Sequence, residues 1–127
     1  MSSKKSSYLA TKVIDHVCNK AAYTAPTTLY LALYTSDPTK ADVGTEVAGG
    51  SYARKSITLG SSSGGEIAST NSQAFTSMPA TTVTHWGIRD ASSGGNLLYF
   101  GSFDIPVAVT GGSTFTVASG DLTIKEE

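Results

Sequence analysis

Four Gly-Gly pairs, at 49–50, 64–65, 94–95 and 111–112, cut this chain into short pieces. Glycine reaches backbone angles that other residues resist, so paired glycines between apolar runs predict tight turns. The runs between them alternate. In "TTLYLALYT", Leu29, Leu31 and Leu33 fall on one face and Tyr30, Ala32 and Tyr34 on the other. In "YARKSITLG", Ala53, Ile57 and Leu59 share a face, and near the end Phe115 and Val117 each alternate with threonine. A period of two over short segments bounded by turns is the signature of strands. The prediction is a mainly β fold, a β-sandwich or jelly-roll, with strands from about residue 27 to 125.

One segment departs from this period. After Ser6 or Ser7, either able to cap a helix, Leu9, Val13 and Val17 recur four apart, and Ala10, Ile14, Cys18 and Ala21 form the adjacent row. Lys12, Asp15, His16, Asn19 and Lys20 take the other side. An amphipathic N-terminal helix over about 7–22 is predicted, not continuing past Pro26. The strand at Leu29 to Tyr34 is apolar on both faces, so a second element, the helix or a neighbouring subunit, should cover the face away from the core.

Further along, "SDPTKADVGTEVAGGS" reads as a long loop and "EIASTNSQAFTSM" as a weak edge strand. "VTHWGIRDASSGGNLLYFGSF" reads as a hairpin and "PVAVT" as a separate strand. The expected core comprises Leu9, Val13, Ile14, Val17, Leu29, Leu31, Leu33, Trp86, Ile88, Phe115 and Val117. With 127 residues and no tandem repeat, residues 1–127 are expected to form a single β-sandwich domain.

Composition narrows the function classes. Charged residues make up 15% and the net charge is −1; 18 serines and 17 threonines fill the polar positions instead. Neither a nucleic-acid partner nor a membrane is expected. The apolar run "LYLALY" is far too short to cross a bilayer. The N-terminus lacks the apolar stretch of a signal peptide, so synthesis in the cytoplasm is expected. Cys18 is the only cysteine, which rules out an intrachain disulfide.

The hairpin holds the one constellation that suggests catalysis: His85, Arg89 and Asp90. In an extended strand His85 and Arg89 point one way, Trp86, Ile88 and Asp90 the other. A catalytic triad would need Asp90 on the histidine's side. The alternation instead makes Trp86 and Ile88 core, and leaves Asp90 to open the turn by accepting backbone N–H groups. A small hydrolase using His85 and a serine is a remote alternative, without a G-x-S-x-G motif to support it. Asp15, His16 and Cys18 do not make a metal site, because residues 16 and 18 diverge by about 200° on a helix; Cys18 reads as a small core residue. The Gly-Gly pairs lack the spacing and the Lys-Ser/Thr ending of a phosphate loop. No catalytic, cofactor or metal residue is assigned.

In order, "YLATKVIDHVCNKAAYTAPTTLYLALYTSDP", "GTEVAGGSYARKSITLG", "VTHWGIRDASSGGNLLYFGSF" and "VTGGSTFTVASGDLTI" resemble a family of small tailed-bacteriophage virion proteins, often labelled tail fibre proteins. The resemblance spans nearly the whole chain. It implies a non-enzymatic structural protein of the virion, without cofactors. It also implies packing onto other virion proteins, either the major capsid protein or tail proteins, and self-association such as a trimer. Capsid decoration (a cement protein on the shell) is the leading expectation, because the chain has no shaft repeat. A tail fibre or tail-tip component is the alternative.

Overall fold

Among residues 3–126, which the computed structural model describes, nine strands and one helix occur in chain order. They are β1 (Lys4–Lys5), α1 (Ser7–Val17), β2 (Leu29–Tyr34), β3 (Lys55–Ile57), β4 (Glu66–Ala68), β5 (Gln73–Phe75), β6 (Thr81–Arg89), β7 (Leu97–Val109), β8 (Phe115–Val117) and β9 (Thr123–Lys125). The fold is mainly β and antiparallel, consistent with a sandwich. A five-stranded sheet in the order β1-β7-β6-β2-β3 forms one layer, and the ribbons β4-β9 and β5-β8 are the other strand pairings.

Register explains where the core sits. Leu29 pairs with Ile57, Leu31 with Ile88 and Leu33 with Trp86, so these side chains share one face of the sheet. They meet Phe75 of β5, Val117 of β8 and Ile124 of β9, together with Val47, Met78 and Leu122 from connecting segments. Leu31, Leu33, Trp86 and Ile88 are fully buried, while Leu29 and Phe115 are partly buried at the margin of the same cluster. Phe115 packs edge-on against Phe103 at 5.6 Å between ring centroids.

The opposite face of the sheet is buried too. Ala32 and Tyr34 are covered, with Arg89 beside them and Leu97, Leu98 and Phe100 of β7 following. The loop between β2 and β3 folds back on itself here. Asp37 accepts the Thr39 N–H at 2.9 Å, Pro38 is fully buried, and the Pro38 carbonyl accepts the Val43 N–H at 2.7 Å. Helix α1 covers the start of β7. The Ser6 N–H donates to the Leu98 carbonyl at 2.9 Å, its hydroxyl donates to the Leu97 carbonyl, and its Oγ accepts the Leu9 N–H as N-cap. The double apolarity of β2 is thereby accounted for within one chain.

The helix corrects two expectations. It ends at Val17, not near 22, because Asn19 turns left-handed at φ 61° and the Lys20 N–H reaches back to the Asp15 carbonyl. It is also pinned only at its start. Leu9 is buried and Val13 half-buried, but Ile14 is 60% and Val17 75% exposed, and Cys18 is an exposed free thiol. Ile14, Val17 and Cys18 are therefore not core residues. A helix over a single strand buries a narrow stripe, and the neighbouring apolar row stays outside it.

The strands on either side of the hairpin also differ from the sequence reading. "PVAVT" continues β7, which runs unbroken for 13 residues, and "EIASTNSQAFTSM" divides into β4 and β5. The pairing of β6 with β7 jumps from Val83–Val107 to His85–Ser102. Residues 103–106 therefore arch out of the ladder, and exposed Pro106 sits where no backbone N–H is required.

Candidate functional site

The most developed polar arrangement joins the β2–β3 loop to the β6–β7 turn through two arginines. Arg89 ends β6 with only 9% of its side chain exposed. Its Nη1 donates to Asp42 Oδ1 at 2.8 Å and to the Tyr34 hydroxyl at 2.9 Å. Its Nη2 donates to Asp42 Oδ2 at 2.8 Å and to the Gly95 carbonyl at 3.0 Å, and its Nε to the Gly94 carbonyl at 3.2 Å. Burial works against the charged guanidinium, but the bonds to Asp42 and Tyr34 outweigh it and raise the Arg89 pKa further.

Arg54 approaches the same turn from the other side. Its Nε and Nη2 hold Glu46 at 2.9 and 2.8 Å, and its Nη1 donates to the carbonyls of Ala91 and Gly94 at 2.9 and 2.8 Å. Tyr52 donates to Glu46 at 2.7 Å and accepts the Leu33 N–H at 3.0 Å. Burial tends to raise the Glu46 pKa; the bonds from Arg54 and Tyr52 overcome this and hold it below the usual carboxylate range. Burial and the bond to Glu46 push the Tyr52 hydroxyl well above its ordinary value. Both guanidiniums thus share the Gly94 carbonyl and clamp the turn. Asp90 closes it from within, accepting the Asn96 N–H at 2.7 Å. Gly94 and Gly95 take φ of 63° and 70°, and a Cβ on Gly95 would collide with Asp90 Oδ1 and Ala91 Cβ.

The structure separates the three residues that suggested catalysis. Arg89 belongs to Asp42, Asp90 belongs to Asn96, and His85 Nδ1 lies 2.8 Å from Thr84 Oγ1. His85 instead lines a small hollow of about 70 Å³ with Lys4, Asp37, Phe100, Gly101 and Ser102. None of those neighbours was anticipated, because they come from three distant segments. Arg89 lies on the face opposite Trp86, as the alternation implies, but it is buried there. Among the described residues no group of three or more His, Cys, Asp or Glu side chains could hold a metal ion. Among them, too, no helix is long and apolar enough to cross a membrane.

Two of the larger hollows are of contrasting character. One, of about 430 Å³, is apolar at its floor, with Leu29, Ile67, Ile88, Leu98 and Ile124, and has Glu66 and Glu126 at its edge. The other, of about 420 Å³, collects Lys4, Lys5, Lys40 and Lys125 with Ser3, Ser7 and Ala10 at the start of α1. Asp42, Glu46 and Tyr52 as partners of Arg89 and Arg54, and the four lysines, escaped sequence reasoning. For Glu46, Tyr52 and Arg54 a signal existed, since all three lie in "GTEVAGGSYAR", within one of the four segments that carry the phage resemblance.

The family model described as "Podophage GP4 fiber I protein gp80" matches residues 4–125. None of the curated proteins compared matches the chain. The chain belongs to that family, and so to the small structural proteins of tailed-phage particles, which associate with other virion components.

Proposed function

From membership in a podophage fibre family, we propose that this protein is a non-enzymatic component of the virion's fibre and not a capsid decoration protein. The observation that carries this reading is the extent of the match, residues 4–125, which takes in every strand of both layers. The family description favours the fibre over the expectation of decoration that the missing shaft repeat had suggested. In this reading residues 1–127 form one β-sandwich unit that self-associates and packs onto other tail components. The clamped turn supports it: a loop fixed by two arginines and two carboxylates offers a rigid surface, which static assembly favours over catalysis. His85 has neither Asp90 nor Arg89 as a partner, and among the described residues no carboxylate bonds its ring as an orienting acid of nucleophilic catalysis would.

The test is to delete the gene and image purified particles. Intact shells with missing fibre density are expected. Shells that lose surface density, or burst more readily on heating, would return the protein to decoration. Unchanged virions would sink both readings, and turnover of ester, peptide or glycoside substrates by the purified protein would overturn the non-enzymatic assignment.

A further inference from the structure

We infer that the start of helix α1 and its outer face form the docking site for an acidic, partly apolar segment of another virion protein. The inference rests on the fibre reading and names the kind of partner that reading requires. Two observations meet there. The first is electrostatic. A chain of net charge −1 brings four of its nine Lys and Arg residues into one hollow, from β1, the β2–β3 loop and β9. Lys5 is held by Glu126, but Lys4, Lys40 and Lys125 have no ion-pair partner among the described residues and are exposed. The two arginines, by contrast, are both consumed by Glu46 and Asp42. Three ammonium groups without an ion-pair partner among the described residues surround one concavity and focus a positive field toward an anionic partner.

The second observation is the misfit of the helix. Ala10 lines the lysine hollow, Ile14 continues its row outward along α1 and Val17 ends the adjacent row, both largely exposed. A partner filling the hollow with carboxylates would lay its next side chains on this row. A volume of about 420 Å³ is too large for a bare ion and suits several side chains. The lining carries no aromatic ring, whereas single-stranded nucleic acid is held by stacking as well as charge. The apolar row is short and aliphatic, unlike the aromatic, strongly basic helices that lie in membrane interfaces.

The experiment complements gene-deleted phage with wild-type protein or with the triple variant Lys4→Glu/Lys40→Glu/Lys125→Glu. A Lys→Gln triple variant serves as a second test should charge reversal disturb folding, which circular-dichroism melting checks. Expected are unchanged melting and occupancy on particles reduced by about tenfold. Wild-type protein should come off the particle as salt is raised. Cys18, exposed on the same side of α1, should react with a maleimide in isolated protein and be protected on the particle. Normal occupancy of both triple variants, or equal labelling of Cys18 in the two states, would overturn the inference and leave the fibre reading intact. Cys18 already protected in an isolated oligomer would put a second copy of this chain on the face. Binding to phosphatidylglycerol vesicles, lost in the triple variant while particle occupancy stays normal, would put a lipid there. Either result overturns the inference. Wild-type protein absent from particles would overturn the fibre reading itself.

Discussion

Arg89 and Asp42, 47 residues apart in the chain, meet through two parallel bonds of 2.8 Å beside the Tyr34 hydroxyl. Loop, central strand and hairpin turn are thereby fixed to one another by a single planar group. Asp42 is still 34% exposed, so solvent screening lowers what the pair contributes. Asp42→Asn is expected to cost about 1–3 kcal/mol in urea unfolding, mostly by leaving a buried guanidinium short of acceptors. Arg89→Lys should cost a similar amount, because an ammonium cannot reproduce the fork that serves four residues. Full retention of stability in Arg89→Lys would show that the bidentate geometry is dispensable.

Acid should loosen the neighbouring pair. Folding holds Glu46 below its ordinary value of 4.5, so the folded state binds its proton more weakly than the unfolded chain does. The stabilisation is complete above that ordinary value and is lost as pH falls through the lower folded value. Glu126 is lowered in the same direction, after burial is offset by Lys5 and Tyr99. Stability measured from pH 6 downward should therefore decline below about 4.5. Glu46→Gln should flatten part of that decline without removing it. An identical slope in the variant would refute the assignment.

The two residues at the centre of the hairpin should behave oppositely. Trp86 is fully buried in the core, and its indole N–H has no partner among the described residues. Trp86→Ala should cost about 3–5 kcal/mol through the cavity it leaves. His85 is half-buried, with Thr84 as its one side-chain partner among the described residues, so His85→Ala should stay within about 0.5 kcal/mol. Equilibrium unfolding of both variants decides the matter. A large loss for His85→Ala would mean that the imidazole holds the sheet together and is no mere surface group.

Gly87 offers a steric test on the other face of the same strand. A Cβ there would lie 2.8 Å from both Leu97 Cδ1 and the Tyr34 ring. The Tyr34 hydroxyl also accepts a bond from Arg89, so the ring is not free to swing away. Gly87→Ala is expected to cost about 1–3 kcal/mol by overpacking. A neutral result would mean that Tyr34 moves more easily than its bonds suggest.

These residues show why part of the molecule was legible in the sequence. Alternation in β2 and β6 placed Leu31, Leu33, Trp86 and Ile88 correctly, because strand periodicity is local and registers by burial. Seven of the eight paired glycines, all but Gly111, adopt positive φ, as turn residues should. Asp90 also closes its own turn by a short-range bond that its position implied. The pairing of Arg89 with Asp42 was not legible, since nothing local says which of ten acids a strand arginine will meet. The continuation of β7 through residues 103–106 was hidden as well, because a proline reads as a break until a bulge accommodates it. Helix α1 failed for a different reason. Its apolar residues have helical spacing, but spacing does not say how much of a helix finds something to lie on.

That failure yields the sharpest contrast. If the whole apolar row of α1 faced the sheet, Ile14→Asp would bury a charge and unfold the protein. In the structure Ile14 is 60% exposed while Leu9 is 4% exposed, one turn earlier on the pinned stretch. Ile14→Asp should therefore melt within about 0.5 kcal/mol of wild type, whereas Leu9→Asp should lose several times that or fail to fold. The two variants together separate stability from assembly. An Ile14→Asp protein that folds normally but fails to join the particle would mean that this side chain serves a partner and not the core. One that unfolds would mean that α1 packs more deeply than its exposure indicates.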